Sequence, residues 1–414
     1  MIYIYSLIIN LIFFLSPIII AYRLIIKKEN PKRFTEKFSF SSKKRIEGKL
    51  LWFHAASIGE FLSIIPLIKK CEKKKYISQI LITSSTLTSA NLFKKYKFKK
   101  TLHQFYPIDL KIIVSRFLKH WKPDLVIFID SEIWPNMLLN LKKKNIPTLL
   151  FNARISSKSF KKWMFIKSFF IKILNSFEFI YPQNLESKNF LKKLKLKNIK
   201  QIGNLKFTQD KKKITNIIID KRFNNKKIWC AASTHDGEEK ICLEIHKKLL
   251  KKYKNLILVI IPRHVERIEE IKREIKNLNL KYQIHNQKKI INNFQIYIVN
   301  SYGETEYFYK ISDIVFMGKS ITKDGGQNPL EPARNMCKII HGSKVSNFRD
   351  IYKFLNNKKI AYKANSRNKI YELIDKLIAQ KKQKNNNNNL NKEGKRILVK
   401  YVNEINSFLK INDQ

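Results

Sequence analysis

Residues 50–68 read LLWFHAASIGEFLSIIPLI, and this stretch decides the fold class. It opens with an apolar run of strand length, continues through small and polar residues, and ends in an apolar pattern of helical length from Phe61 to Ile68. Continuous apolar strands that alternate with helices are typical of a parallel sheet covered on both faces. The stretch therefore predicts a strand, a turn and a helix of an α/β domain.

The same alternation continues from residue 45 to about residue 365. The predicted strands outnumber those that one doubly wound sheet normally holds. We therefore predict two Rossmann-like domains joined near residues 203–216. The Asn-rich stretch Lys381–Asn391 predicts a solvated loop, and the pattern from Ile397 to Leu409 predicts a terminal helix. The predicted strands are Leu50–His54, Gln79–Thr83, Leu125–Ile129, Thr148–Asn152, Phe179–Tyr181, Ile228–Ala232, Leu256–Ile261, Gln295–Val299, Ile314–Met317 and Lys338–His341.

The chain is strongly basic, with 83 Lys and Arg against 32 Asp and Glu and a net charge of +51 over 414 residues. Only 13 of these cations are Arg, the side chain that planar recognition of phosphates and bases favours. Abundant Lys, Ile, Asn and Phe indicate drift in an AT-rich genome, so we predict no nucleic-acid partner. The four Cys lack metal-site or disulfide spacing, which favours a reducing compartment.

The first 22 residues carry no charged side chain and are long enough to cross a bilayer. Charges begin at Arg23 and continue through Lys27 and Lys28, after the apolar stretch and not before it as in a cleavable signal peptide. We therefore predict a membrane anchor, either a span or a monotopic helix. The positive-inside rule places the residues after Arg23 in the cytoplasm. The alternative is a buried or interfacial helix. Pro17 lies inside the apolar stretch and weighs against a straight membrane-spanning helix.

Glycine is scarce, with 10 residues in the whole chain. Such a chain should keep Gly mainly where no Cβ fits or where φ must be positive. Parallel sheets bind ligands at the carboxyl ends of their strands, so the default site is the cleft between the two predicted domains. Eight of the ten lie at or near predicted strand–helix junctions, namely Gly59, Gly203, Gly237, Gly303, Gly318, Gly325, Gly326 and Gly342.

Acidic side chains follow two of the predicted strands. Glu60 lies in the first helical turn after Leu50–His54, where it is either a carboxylate that stabilises the helix dipole or a general base. Asp130 and Glu132 follow Leu125–Ile129 beside a Trp, and paired carboxylates often have separated pKa values and separate roles. The alternative is that Ser131 or Glu132 caps the following helix.

Cations and anion-binding turns mark other junctions. Lys206 beside Gly203, or Arg154, can offset charge on a leaving phosphate, and Arg263 stands out because Arg is rare here. The segment Ser233–Glu239 predicts either an anion site at a helix start or an ordinary cap followed by a polar first turn. Residues 325–332, GGQNPLEP, predict a turn with Asn328 as N-cap, Pro329 at N1 and Glu331 at N3, either as a capping box or with Glu331 on ribose hydroxyls.

In this order, WFHAASIGE, IDSEIWPN, NARIS, GNLKF, ASTHDGEE, PRH, GET, GGQNPLEPA and SNFRD resemble the 3-deoxy-D-manno-octulosonic acid (Kdo) transferases of lipopolysaccharide biosynthesis. The resemblance runs from the apolar amino terminus to the carboxyl end. It implies a GT-B glycosyltransferase on the cytoplasmic face of the inner membrane. Such an enzyme transfers Kdo from CMP-Kdo to the lipid A precursor lipid IVA. It contacts inner-membrane lipids, and it uses no cofactor and no metal at the reaction centre.

The resemblance implies a domain plan and a set of site residues. Residues 1–26 would be the anchor, 27–210 the acceptor-binding domain, and 211–414 the CMP-Kdo-binding domain with the terminal helix. Glu60 matches the catalytic base, and Asp130 and Lys206 match the positions that stabilise the transition state. The segments that match the CMP-Kdo site supply Pro262, Arg263, Tyr302, Gly303, Glu304, Asn328, Pro329, Leu330 and Glu331.

The chain departs from the family pattern at two positions. Asp130 stands where the family usually has Glu, and Gln327 stands where it usually has His. We expect these changes to weaken or adjust the activity, and we do not expect them to abolish it. Two other functions compete with this one. A GT-B transferase for another donor, such as a UDP-sugar, would be protected by UDP in place of CMP, and a membrane-tethered nucleic-acid binder would show steep salt dependence.

Overall fold

The computed structural model describes residues 1–209, 220–287, 291, 293–380 and 386–410. The chain divides into two compact units, Met1–Asp210 with Glu393–Gln414, and Lys211–Lys392. Each unit holds one parallel sheet with helices on both faces, so the predicted pair of Rossmann-like domains is confirmed.

The first unit has a six-stranded sheet in the order β3-β2-β1-β4-β5-β6, the doubly wound order. Two 3₁₀ turns, Phe34–Phe38 and Leu205–Thr208, flank it in sequence. Its strands are β1 Lys49–His54, β2 Ile77–Ser84, β3 Thr101–Phe105, β4 Leu125–Ile129, β5 Thr148–Ala153 and β6 Phe179–Pro182. Its helices are α1 Ile2–Ile25, α2 Ile58–Cys71, α3 Leu87–Phe93, α4 Lys111–Trp121, α5 Pro135–Lys143, α6 Ser157–Met164, α7 Lys167–Leu174 and α8 Leu185–Lys193.

The second unit has a seven-stranded sheet in the order β13-β12-β11-β7-β8-β10-β9. Its strands are β7 Lys227–Thr234, β8 Leu256–Pro262, β9 Tyr282–Ile284, β10 Ile296–Ile298, β11 Ile314–Met317, β12 Lys338–His341 and β13 Ala361–Lys363. Its helices are α9 Glu238–Leu250, α10 Ile268–Asn277, α11 Thr305–Ile311, α12 Leu330–Arg334, α13 Arg349–Asn357 and α14 Arg367–Ile378, and α15 Asn386–Lys410 follows.

Helix α15 corrects two predictions. Residues from Asn386 onward are helical where the Asn-rich stretch predicted a loop, while residues 381–385 of that stretch lie outside the described residues. The terminal helix does not belong with the second domain, because one face of α15 is buried in the core of the first unit. That face repeats every four residues, and its members are Ile397, Tyr401, Ile405 and Leu409.

Helix α1 is the helix in the described chain that is long and apolar enough to cross a membrane, by length and composition. It also touches the first unit along one side. The Tyr5 hydroxyl donates to Asp109 Oδ2 at 2.6 Å, the Phe13 and Phe38 rings lie 6.1 Å apart, and Ile9 is buried. On the opposite side of α1, large apolar residues are exposed to solvent, among them Leu7, Phe14 and Ile18.

Candidate active site

The first candidate site lies where the strand order of the first sheet reverses. Strands β1 and β4 are neighbours there, with Leu51 to His54 paired against Leu125 to Phe128. Chains leave these two strands toward opposite sides, and this opens a crevice at their carboxyl ends, where α/β sheets bind ligands. Glu60 follows β1 and Asp130 follows β4, so topology brings the two predicted acids to one crevice.

Glu60 is held by the first turn of α2. Its Oε2 accepts from the Ala56 amide at 2.8 Å, and its Oε1 accepts from the Ser57 hydroxyl at 2.8 Å. Burial, the Glu132 charge and then Asp130 raise the pKa of Glu60 to about 7. A carboxylate with that pKa is an effective base at neutral pH, so the structure is compatible with both roles predicted for Glu60, at the helix start and as a base.

Asp130 occupies an unusual backbone conformation, with φ of 65°. Asp tolerates this left-handed region better than most residues. The Ser131 hydroxyl lies 2.9 Å from Asp130 Oδ1, and the Arg154 amide donates to the Asp130 carbonyl at 3.2 Å. Burial raises the pKa of the Asp130 carboxyl, and the charges of Lys206 and Arg154 oppose that rise.

Lys206 lies in the 3₁₀ turn Leu205–Thr208, which two Asn side chains fix. Asn204 Oδ1 accepts from the Lys206 amide at 2.9 Å, and Asn152 Oδ1 accepts from the Leu205 amide at 3.0 Å. Burial lowers the pKa of Lys206, while the charges of Asp130 and Glu60 raise it. The structure thus brings the three predicted catalytic residues into one electrostatic cluster.

Neither Ser131 nor Glu132 caps the next helix. Helix α5 starts at Pro135, and Asp109 receives its first free amides, from Asn136 at 2.9 Å and Met137 at 2.8 Å. Glu132 instead accepts from two ring donors, as described below. The sequence analysis missed Asp109, because nothing local links a residue before α4 to the start of α5.

Helix α15 also reaches the Lys206 turn. The Tyr401 hydroxyl donates to the Gly203 carbonyl at 3.0 Å, and Ile397 fills the space where a Cβ at position 203 would stand. Gly394 lies so close to Phe207 that an added Cβ would be 2.4 Å from its carbonyl oxygen. The position of the Lys206 turn therefore depends on a helix about 190 residues later in sequence.

The second candidate site lies at the carboxyl edge of the second sheet, where β7 and β11 are neighbours. Buried Glu238 ties the loops after these strands together by accepting four backbone N–H groups, from His235, Lys319, Ser320 and Ile321, at 2.7–3.0 Å. The loops also touch at Gly318, where a Cβ would stand 2.2 Å from the Ser233 carbonyl oxygen. Glu238 therefore has a structural role in the predicted anion segment, because it holds the loops after β7 and β11 together.

The predicted donor-binding residues line the same edge. Pro262 ends β8, the Arg263 amide donates to the Thr234 carbonyl at 3.0 Å, and the Arg263 side chain is exposed. Tyr302 is 65% exposed and Gly303 has open space around it, just before α11. Glu304 is the N-cap residue of α11.

In the GGQNPLEP turn, the observed N-cap residue lies one position after the predicted one. Helix α12 begins at Leu330 with Pro329 as its N-cap residue, not Asn328. Asn328 Oδ1 still accepts from the Leu330 amide, at 3.2 Å. Glu331 lies in the first turn with an exposed side chain, as a ligand-binding carboxylate requires.

The SNFRD motif and the helix α13 that begins within it hold this turn in place. The Asn347 amide donates to the Gly325 carbonyl at 3.1 Å, and the Tyr352 hydroxyl donates to the Gln327 carbonyl at 3.0 Å. Among the described residues, no group of three His, Cys, Asp or Glu side chains is arranged to hold a metal ion.

Known proteins match this chain in sequence and in fold. The family described as 3-deoxy-D-manno-octulosonic-acid transferase (kdotransferase) matches residues 32–209. A 3-deoxy-D-manno-octulosonic acid transferase of Rickettsia bellii is 34% identical, over 88% of this chain and 89% of the relative. One of Haemophilus influenzae is 32% identical over 84% of each chain. A glycosyltransferase structure from Rickettsia africae superposes with a TM-score of 0.61 at 16% identity, over 88% of this chain and 100% of the other, which confirms the GT-B fold.

Proposed function

Because the chain belongs to the 3-deoxy-D-manno-octulosonic acid transferases, the glycosyltransferases that add Kdo in lipopolysaccharide biosynthesis, we propose that it transfers Kdo from CMP-Kdo to lipid IVA. The observation that carries this proposal is the cluster of Glu60, Asp130 and Lys206 where the first sheet reverses its strand order. It combines a carboxylate whose pKa is raised to about 7 with a half-buried lysine.

The proposed reaction is a displacement at the anomeric carbon of Kdo. Glu60 takes the proton of the acceptor hydroxyl as its oxygen forms the new glycosidic bond, and CMP leaves with the electrons of the broken bond. Lys206 offsets the negative charge that develops during transfer. Burial lowers the pKa of Lys206, and the charge of Asp130 opposes that effect and so favours the protonated amine.

The second unit is the proposed donor site. Arg263 carries an exposed, permanently charged guanidinium suited to the phosphate of CMP. The open turn at Tyr302, Gly303 and Glu304 and the exposed carboxylate of Glu331 suit the cytidine and its ribose hydroxyls. Asn328, Pro329 and Leu330 hold that carboxylate at the start of α12.

The acceptor is a lipid, and α1 is the proposed membrane attachment, on the cytoplasmic face of the inner membrane. One side of α1 contacts the first unit at Tyr5, Ile9 and Phe13, while Leu7 and Ile18 on the other side are each 70% exposed. A helix that packs along a domain brings that domain to the bilayer surface. These contacts leave the other side of α1 for lipid, and either a span or a monotopic helix satisfies them.

Incubation of the protein with CMP-Kdo and lipid IVA in vesicles, followed by mass spectrometry, tests the reaction directly. We expect the mass of lipid IVA to rise by one or more Kdo residues, and Glu60→Gln to abolish that rise while CMP binding persists. A thermal-shift comparison of CMP with UDP tests the donor class. Protection by UDP alone, or Kdo transfer by Glu60→Gln at the parent rate, would refute the proposal.

A further inference from the structure

A chain of polar side chains runs through the core of the first unit and ends beside Glu60. The Trp52 indole lies 2.9 Å from Thr83 Oγ1, and Thr83 Oγ1 lies 2.9 Å from His54 Nδ1. On the other side of the ring, His54 Nε2 lies 3.1 Å from Glu132 Oε2, which also lies 2.8 Å from the Trp134 indole nitrogen. Trp52, Thr83 and His54 are completely buried, so water does not supply alternative partners.

The Trp52 indole and the lengths of the contacts assign the direction of the hydrogen bonds in this chain. An indole N–H only donates, so Thr83 Oγ1 accepts from Trp52. The Thr83 proton has two acceptors within reach, His54 Nδ1 at 2.9 Å and the Phe53 carbonyl at 3.5 Å, and we assign it to the shorter contact. With Nδ1 as the acceptor, the neutral ring carries its proton on Nε2, and Nε2 donates to Glu132. Glu132 Oε2 then receives two donors, from His54 and from Trp134.

The packing around the ring keeps it in this orientation. The Tyr106 ring stacks on His54 with centroids 3.9 Å apart, and the Phe128 ring meets it edge-on at 5.5 Å. The ring has no room to rotate, so a change of partner at one nitrogen must change the proton at the other. The hydroxyl of Thr83 thereby determines what His54 presents to Glu132.

We propose that His54 is a positioning residue, oriented from the core by Trp52 and Thr83, that fixes the ionised carboxylate of Glu132 beside the general base Glu60. The proposal rests on the proposed function for the role of Glu60 alone. The hydrogen-bond directions follow from the geometry of the first unit and stand without it.

The consequence for catalysis is electrostatic. The titratable and charged groups that face Glu60 and Glu132 are His54, Tyr106, Asp130 and Lys206, and Arg154 acts on Asp130 and Lys206. His54 and the Trp134 indole lower the pKa of Glu132, so it stays ionised at neutral pH. After burial, the Glu132 charge is the largest cause of the raised pKa of Glu60. A fixed Glu132 therefore makes Glu60 a stronger base.

Four variants test the proposal. Thr83→Val removes the hydroxyl with little change of shape, and Thr83→Ser keeps it. Glu132→Gln removes the charge itself. His246→Gln is the matched control, because His246 is also buried and its Nδ1 accepts directly from Trp229 Nε1 at 3.1 Å, but its Nε2 faces the Gln295 carbonyl and no carboxylate.

The pH dependence of kcat/KM is the first measurement. We expect Glu132→Gln to shift the acidic limb to lower pH by about half a unit or more, because Glu60 loses a neighbouring negative charge. We expect Thr83→Val to lower kcat about tenfold with the KM for CMP-Kdo unchanged, and Thr83→Ser to match the parent enzyme. His246→Gln should lower the melting temperature without moving the limb. Equal profiles for Thr83→Val and Thr83→Ser would overturn the proposal.

The second measurement does not need activity. The ¹⁵N spectrum of histidine-labelled protein, with His54 assigned from a His54→Gln sample, should show an unprotonated Nδ1 and a protonated Nε2. In Thr83→Val the proton should move to Nδ1, where the main-chain carbonyl of residue 83 lies 3.2 Å away. A parent protein with this spectrum and no Kdo transfer refutes the proposed function and leaves the hydrogen-bond chain intact, while a protonated Nδ1 in the parent refutes the chain.

Discussion

Replacement of Gly394 by Ala should damage catalysis although the new residue favours helices. An ideal Cβ at position 394 lies 2.4 Å from the Phe207 carbonyl oxygen and 3.3 Å from its carbonyl carbon. Ordinary van der Waals contact begins at 3.4 Å, so either α15 or the turn Leu205–Thr208 must move by about 1 Å. The turn is the shorter element, and it carries Lys206.

The two effects of this substitution differ in size. Overpacking costs about 1–3 kcal/mol, and the better helix propensity of Ala returns about 1 kcal/mol, so the net loss of stability is at most about 2 kcal/mol. A displacement of 1 Å at a catalytic group can cost about 100-fold in rate. We therefore expect kcat to fall by one to two orders of magnitude in a protein that still folds.

The assay compares kcat, the KM for CMP-Kdo and the melting temperature of parent and variant in the same lipid vesicles. Lys395→Ala is the control, because it places the same residue at the adjacent, exposed position of α15. We expect the KM of Gly394→Ala to stay near the parent value, since the proposed donor residues lie in the other unit. A Gly394→Ala protein that is more stable than the parent by about 1 kcal/mol and equally active would show that α15 does not hold the Lys206 turn.

Three further predictions concern the same unit. The transfer rate should rise with pH through about 7, where Glu60 loses its proton, and a rate that is flat between pH 6 and 8 would contradict its role as base. The raised pKa of Glu60 means that its protonated form stabilises the fold, a contribution present below about pH 4.5 and lost as the pH rises through about 7, so Glu60→Gln should raise the melting temperature more at pH 8 than at pH 5. Substituting Asp for Leu7 and for Ile18 together should release the protein from anionic vesicles in a flotation assay, whereas Lys395→Ala should not.

The sequence predicted the interior of both sheets well, and its omissions have one physical cause. Every predicted strand is present, within about two residues at its ends. The three strands that were missed, β3, β9 and β13, all lie at sheet edges. They carry polar residues, such as Gln104 in β3 and Gln283 in β9, both of which are buried, and so they lack the continuous apolar run on which the prediction depended.

The candidate site was predictable wherever a residue lies between a strand and the first turn of the next helix. Glu60 and Asp130 could be found in this way, because parallel strands deliver the residues after them to one edge of the sheet. His54 and Asp109 could not, because each acts through a partner far along the chain, Glu132 for His54 and the start of α5 for Asp109. Sequence patterns report local periodicity, and these contacts depend on strand order.

The glycines show more clearly that sequence patterns do not display contacts between distant parts of the chain. Scarcity singled out eight glycines near strand–helix junctions and left aside Gly48 and Gly394. Gly394 lies in the middle of α15, where a glycine weakens the helix by about 1 kcal/mol relative to alanine. The cost makes sense only through a contact that the sequence does not display, the approach of α15 to the Phe207 carbonyl beside Lys206. A glycine indicates that a Cβ does not fit, and the fold alone shows what the Cβ would meet.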